Sequence, residues 1–170
     1  MWKYYLFYSR YISPVPALIS GLIRYKYLKG GIKWIFWFVV FGTVMQLLSR
    51  AMIPVLKTNL PGMHVYVPIK FFLFSMAYRH FLDGFLNKKV IYGIMIIVIS
   101  YSVINSLFIQ SIFQLFPNFV RAICVFILAV YAMLWFLKSL REMKITSLRA
   151  EPIVWINTGA IIYFSGSFFI

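Results

Sequence analysis

The sequence predicts an all-α, polytopic transmembrane helix bundle. Three observations carry that expectation. Apolar residues make up 63% of the chain and charged residues 12%, against roughly 45–50% and about 25% in a soluble domain. Several apolar runs reach about 20 residues, the length at which a helix crosses roughly 30 Å of hydrocarbon. A closed barrel is the other way to span lipid. Its strands would alternate, and VIYGIMIIVISYSVINSLFI (90–109) does not.

Six helices are expected, forming one transmembrane domain over 1–170 with no repeat, linker or room for a soluble domain. The first covers about 2–24 and is kinked or broken near Pro14 and Pro16, because proline removes a backbone donor. KYLKGGIK then turns on Gly30 and Gly31. The second covers about 33–53 and is closed by Pro54. After the polar turn KTNLPGMH, the third covers about 67–86, with Pro68 tolerated in its first turn. NKK (87–89) separates it from the fourth, about 90–112. Pro117 opens the fifth, about 117–138. REMKITSLRA is the longest polar connection. Glu151 and Pro152 open the sixth, 152–170, with an acid at the helix N-terminus and proline at its first position. That run stops on Ile170 with no polar residue after it, a pattern that predicts a truncated chain with a seventh helix beyond.

The net charge of +14 raises a nucleic-acid reading. The placement of the charges argues against it, because the basic residues sit mainly between the apolar runs. Arg24, Lys26, Lys29, Lys33, Arg79, Lys88, Lys89, Lys138, Arg141, Lys144 and Arg149 fall on one side, eleven of the 17. Lys3, Arg10, Arg50, Lys57, Lys70 and Arg121 fall on the other. The positive-inside rule puts the first set in the cytoplasm, and both chain ends outside. Trp34, Trp37 and Trp155 then sit at cytoplasmic helix ends, where an aromatic belt is expected. Arg10, Pro14 and Pro16 interrupt the N-terminal apolar stretch, so it reads as a mature span and not a cleavable signal. The single cysteine, Cys124, excludes an intramolecular disulfide and a cysteine metal cluster.

On the sixth helix, Thr158 and Ser165 lie seven residues apart, as do Gly159 and Gly166. Each pair shares a face. Small residues let helix backbones approach closely in lipid, so this stripe is expected to be a packing face. A substrate groove is the sharper alternative.

SPVPALISGLIRYKYL (13–28) and PIVWINTGAIIYFSGSFFI (152–170) together resemble a group of bacterial inner-membrane proteins common in the Bacteroidota and without known activity. The resemblance covers most of the chain. It implies about seven spans, an inner-membrane location and a genomic setting near two-component signalling. It brings no catalytic motif. The chain departs from the group at Lys70, where an acid is more usual.

Ionisable groups within spans are expensive and are functional candidates by default. Thr43, Gln46 and Arg50 share one face of the second helix. Lys70 lies in the outer third of the third, after His64 and Tyr66. Ser102, Asn105 and Ser106 share a face of the fourth, and Asn118 and Arg121 begin the fifth. With Arg10, these project polar or cationic groups at similar depth on the extracytoplasmic side. Gln46, Arg50, His64, Lys70, Asn105 and Arg121 are the candidate ligand-binding set, suited to an anion because arginine can fork onto a carboxylate or phosphate. The alternative is that the cations snorkel to lipid phosphates. Arg79, His80 and Asp83 cluster at the inner end of the third helix, where an ordinary interfacial ion pair and an imidazole oriented by a carboxylate are both open.

The only acids are Asp83, Glu142 and Glu151, all expected at or beyond the cytoplasmic face. Proton relays, hydrolases and metal sites need intramembrane carboxylates, ligand sets or nucleophile–base pairs. No catalytic residue, metal ligand or cofactor is therefore assigned, and GxGxxG, P-loop and HExxH patterns are absent. The expected function is a non-catalytic sensor or signalling-associated binding protein, with an extracytoplasmic cationic pocket. Its expected partners are the lipid bilayer and an anionic small ligand or a membrane signalling protein, with no nucleic acid. A small-molecule or lipid transporter and a membrane-embedded lipid enzyme using His80 and Asp83 are the alternatives.

Overall fold

A computed structural model describes residues 13–142 and 152–168. Among these the chain is all-helical, with no strand. The α-helices in chain order are α1 (Val15–Ile23), α2 (Gly31–Leu56), α3 (Leu60–Phe81), α4 (Lys88–Ile104), α5 (Asn118–Glu142) and α6 (Pro152–Phe168). A 3-10 turn (Tyr25–Tyr27) follows α1, and a π turn (Asn105–Ile109) extends α4.

Four of these are long and apolar enough to cross a membrane: α2, α3, α5, and α4 with its π turn. The chain is thus an all-helical membrane protein with four candidate spans among the described residues, where the sequence predicts six. The difference lies at the two ends. Residues 1–12 of the expected first span are outside the described set, leaving α1 with 9 residues, and α6 has 17.

Several boundaries move for reasons visible in the chain. Pro54 lies inside α2 and does not close it. It removes only the hydrogen bond to the Arg50 carbonyl, and so near the helix end the last turn survives. Lys57, in the left-handed region at φ 56°, ends α2. α3 starts at Leu60, seven residues before the expected Val67, and Pro61 occupies its first turn. Proline has no donor to lose there. The Leu60 N–H is taken by the Thr58 hydroxyl at 3.2 Å. The earlier start puts Lys70 near the middle of α3, not in its outer third.

α3 is the central helix. It packs against α2, α4 and α5, while α6 packs on α5 and α1 on α2. Half of the apolar window of α3 is buried (50%), against 6% for α2. The core is built from Phe71, Phe74 and Tyr78 of α3, with Leu82 just past its end, against Val120, Leu128, Tyr131 and Trp135 of α5, closed by Ile91 of α4 and Phe164 of α6. Gly31 sets the approach of α2 to the far end of α3. A Cβ there would stand 2.3 Å from the Phe81 ring.

α6 docks through Asn157, Ala160 and Phe164, spaced to share one face and all buried. The Tyr78 hydroxyl donates to Asn157 Oδ1 at 2.7 Å, and Asn157 Nδ2 donates to the Ala132 carbonyl at 2.9 Å. One amide thereby ties α3, α5 and α6 together. The expected packing residues Thr158, Gly159, Ser165 and Gly166 fall on the other faces. Thr158 bonds back to the Val154 carbonyl at 2.8 Å, Ser165 is exposed, and nothing lies within 4 Å of a Cβ built on Gly159 or Gly166.

Candidate functional site

A cavity of about 900 Å³ opens between α2, α3, α5 and α6. It lies toward the end of the bundle that carries the 57–59 turn, the 110–117 connection and the C-terminal end of α6. Counted at ~1.5 Å per residue, its α2 wall runs roughly 18 Å from Gly42 to Pro54, and its α3 wall a similar height from Asn59 to Phe71. α2 packs extensively on α3 but not on α5 or α6 among the described residues. The cavity is therefore a slot: α3 forms its back, with α2 on one side and α5 and α6 on the other.

Among the described residues three cations line it: Arg50 from α2, Lys70 from α3 and Arg121 from α5. Lys70 is buried, at 8% exposure. Its Nζ donates to the Tyr163 hydroxyl of α6 at 3.0 Å. It also stands 4.4 Å from the Tyr163 ring centroid and 5.4 Å from that of Phe164, within the range of cation–π attraction. Arg121 donates to the Ser167 carbonyl near the end of α6 at 3.1 Å, and its guanidinium lies 5.6 Å from the Phe116 ring centroid. Arg50 sits one turn before Pro54 on the exposed side of the α2 wall. Gln46 lies one turn further in and lines the same slot.

Among the described residues no carboxylate side chain lines the cavity. Among the described residues the acids are Asp83 and Glu142, both at the opposite end of the bundle and both paired. Asp83 meets Lys88 at 3.0 Å and Glu142 meets Lys138 at 3.8 Å. The Lys88 hydrogen bond holds the exposed Asp83 carboxyl below its ordinary range. Lys138 also donates to the Phe81 and Asp83 carbonyls at 3.0 and 2.5 Å, capping the end of α3.

Of the six candidate ligand residues, the fold brings Gln46, Arg50, Lys70 and Arg121 to one cavity and places His64 and Asn105 outside it. His64 is buried, with Nδ1 2.8 Å from the Ser106 hydroxyl and Nε2 2.9 Å from the Leu115 carbonyl. A carbonyl only accepts, so Nε2 carries the proton; in the neutral ring Nδ1 accepts from Ser106. This pins the start of α3 to the 110–117 connection. Asn105 Nδ2 donates to Gln110 Oε1 at 3.0 Å, closing the π turn. Arg10 lies outside the described residues.

The inner cluster separates. Arg79 hydrogen-bonds the Tyr92 hydroxyl and lies 5.2 Å from its ring centroid, while Asp83 goes to Lys88. His80 is exposed. No group of three metal-ligating side chains occurs among the described residues.

Tyr163, Tyr66 and Phe116 add aromatic rings to the lining; the sequence marks Tyr66 beside Lys70 and does not single out Tyr163 or Phe116. Tyrosine inside an apolar run carries a weak signal, because its hydroxyl can be satisfied at a helix end or in a core equally well.

No protein-family model, curated protein or solved structure matches the chain. The reading of the site therefore rests on its geometry.

Proposed function

We propose that this is a multi-pass protein of the bacterial inner membrane with six spans and an extracytoplasmic N-terminus. In this reading it acts as a non-catalytic sensor or signalling-associated binding protein, and its outward-facing cavity takes an anionic ligand. One observation carries the reading: Arg50, Lys70 and Arg121 converge on one cavity that no carboxylate side chain lines among the described residues. A buried cation without an acid partner is costly in a membrane, so its retention favours a ligand that supplies the missing charge.

Sidedness rests on the positive-inside rule. The end opposite the cavity carries Arg24, Lys26, Lys29, Lys33, Arg79, Lys88, Lys89, Lys138 and Arg141, which favours the cytoplasm for that end and the outside for the cavity. α6, at 17 residues, falls at the short limit of a spanning helix. Binding without chemistry is supported by the lining itself. Cys124 and Ser49 are its thiol and serine, and neither has a histidine or carboxylate beside it in the cavity.

The test is a thermal-shift screen of the purified chain against anionic molecules, water-soluble and amphiphilic, with Arg50→Ala and Lys70→Ala alongside. Hits that both substitutions weaken support the site. Hits indifferent to both count against it. A transporter is the second reading, favoured by the lack of extensive packing between α2 and the α5–α6 pair among the described residues, which leaves one cavity wall free to move against the other. Ligand-dependent flux in proteoliposomes separates the two.

A further inference from the structure

The cavity is graded along its height. Taking ~1.5 Å per residue from the nearest helix end, Arg121 lies about 5 Å in from the start of α5 and Arg50 about 9 Å in from the end of α2. The Cα of Lys70 lies about 15 Å in from the start of α3. Helical side chains tilt toward the N-terminus, which for α3 is the cavity mouth, and Lys70 indeed reaches Tyr163. All three charged heads therefore sit in the upper part of the slot. Deeper than Arg50 and Arg121 the lining is mostly apolar, with Met45, Phe71, Val125 and Leu128 beside the polar Gln46. The side between α2 and the α5–α6 pair is not closed by extensive helix packing among the described residues. Away from the cavity α2 presents Leu47 and Leu48, at 58% and 49% exposure, as a membrane-facing surface does.

A hydrated anion would satisfy the cations but leave the apolar floor in contact with water. A neutral lipid would cover the floor but bring no counter-charge to Lys70 and Arg121, whose partners Tyr163 and the Ser167 carbonyl are neutral. We propose that the ligand is a single-chain anionic amphiphile that enters sideways from the bilayer. Its carboxylate or phosphate head is held by Arg50, Lys70 and Arg121, and its apolar tail lies along Met45, Phe71 and Leu128. This rests on the anion-binding reading above and adds the tail, the orientation and the route. Arginine supplies two-point contacts to the head. Lys70 and the Tyr163 hydroxyl supply the deepest polar pair, so the head stops there.

The experiment uses the full chain in nanodiscs of neutral phosphatidylcholine. Binding is measured for dodecyl phosphate, for inorganic phosphate as the head alone, and for dodecanol as the tail alone. The variants are Arg50→Gln, Arg121→Gln, and Val125→Trp, which fills the floor. Lys26→Gln, exposed at the far end of the bundle, is the charge-matched control. The proposal expects dodecyl phosphate to bind at least ~10-fold more tightly than either part, about 1.4 kcal/mol per tenfold. Arg50→Gln and Arg121→Gln should each weaken it by on the order of tenfold, as expected for a charge-assisted contact. Val125→Trp should weaken dodecyl phosphate but not inorganic phosphate, and Lys26→Gln should change nothing. Inorganic phosphate binding as tightly as dodecyl phosphate would overturn the amphiphile and leave the anion site standing. Dodecanol binding as tightly would remove the role of the cations. Dodecyl phosphate binding that neither arginine variant alters would sink the site and the amphiphile together. Arg50 is on the exposed wall, so its variant remains interpretable if another fails to fold.

Discussion

Replacing Lys70 by methionine should make the protein more stable without ligand and less stable with it. A lysine at the centre of a membrane helix costs about 2.5–3.5 kcal/mol on insertion scales. Lys70, near the middle of α3 and 8% exposed, bears that cost with two offsets. The hydrogen bond to Tyr163 returns about 0.6 kcal/mol, the average for side-chain bonds between membrane helices. The ring beneath its ammonium returns about 0.5–2 kcal/mol. Central values leave a net cost of about 1 kcal/mol, which methionine removes while filling similar space. A bound anion reverses the order. At 100 times its Kd a ligand stabilises the wild type by about 2.7 kcal/mol, and Lys70→Met should lose most of that. Reversible unfolding in mixed micelles, with and without dodecyl phosphate, reads both numbers. If Lys70→Met loses more than about 1 kcal/mol without ligand, Lys70 is a structural partner of Tyr163, and the argument from its uncompensated charge fails. Equal protection of both proteins by the ligand would be equally fatal.

Three further outcomes are expected. Asn157→Ala should destabilise by about 1–3 kcal/mol, the sum of two membrane hydrogen bonds. In a double-mutant cycle with Tyr78→Phe the losses should not add, since both remove the 2.7 Å bond; additive losses would mean the pair is not coupled. Gly31→Ala should cost about 1–3 kcal/mol as an overpacking change, because its new Cβ would stand 2.3 Å from the Phe81 ring, and Gly93→Ala, with open space around it, should not; comparison of the two melting curves checks this. Asp83 is held below its ordinary value of 3.8 chiefly by the Lys88 hydrogen bond. Its contribution is therefore present above that value and lost as pH falls through the lower folded one. Asp83→Asn should melt with less pH dependence than the wild type below about pH 4, and identical profiles would show that the exposed pair contributes nothing.

Helix positions were legible because an apolar run of about 20 residues has few other fates in a chain this poor in charge. Their ends were less so, and prolines explain most of the error. Pro54 and Pro61 read as breaks, yet one lies in a last turn and the other in a first turn, where the lost donor matters little. In lipid, moreover, backbone groups outside a helix have no water to bond, so helices extend. Four of the polar residues that stood out in apolar runs share one cavity, since antiparallel helices return polar positions near the same end to the same depth. His64 and Asn105 gave the same signal for another reason. Each is satisfied by a partner, the Leu115 carbonyl and the Gln110 amide, that spacing along the chain does not reveal. The stripe on α6 shows the same limit. A seven-residue spacing identifies residues that share a face but not which face turns inward, and the one that does is marked by Asn157, whose two hydrogen bonds go to α3 and α5.

The charge pattern also bears on whether the cavity cations belong to topology or to a site. Topology asks for basic residues at the cytoplasmic ends and their depletion at the others. Arg50, Lys57, Lys70 and Arg121, the cations of the described residues at the cavity end, therefore need a local reason to be there. Lys57 has one, as an exposed residue in the left-handed turn that ends α2. Snorkelling to lipid phosphate would account for the other three if each pointed outward. Lys70 does not: its ammonium turns to Tyr163 across the slot. Arg121 turns to the Ser167 carbonyl of the same helix. Two cations from different helices thus converge on α6, and the third faces them from α2. Membrane insertion does not select for that arrangement, whereas the proposed binding of an anion would.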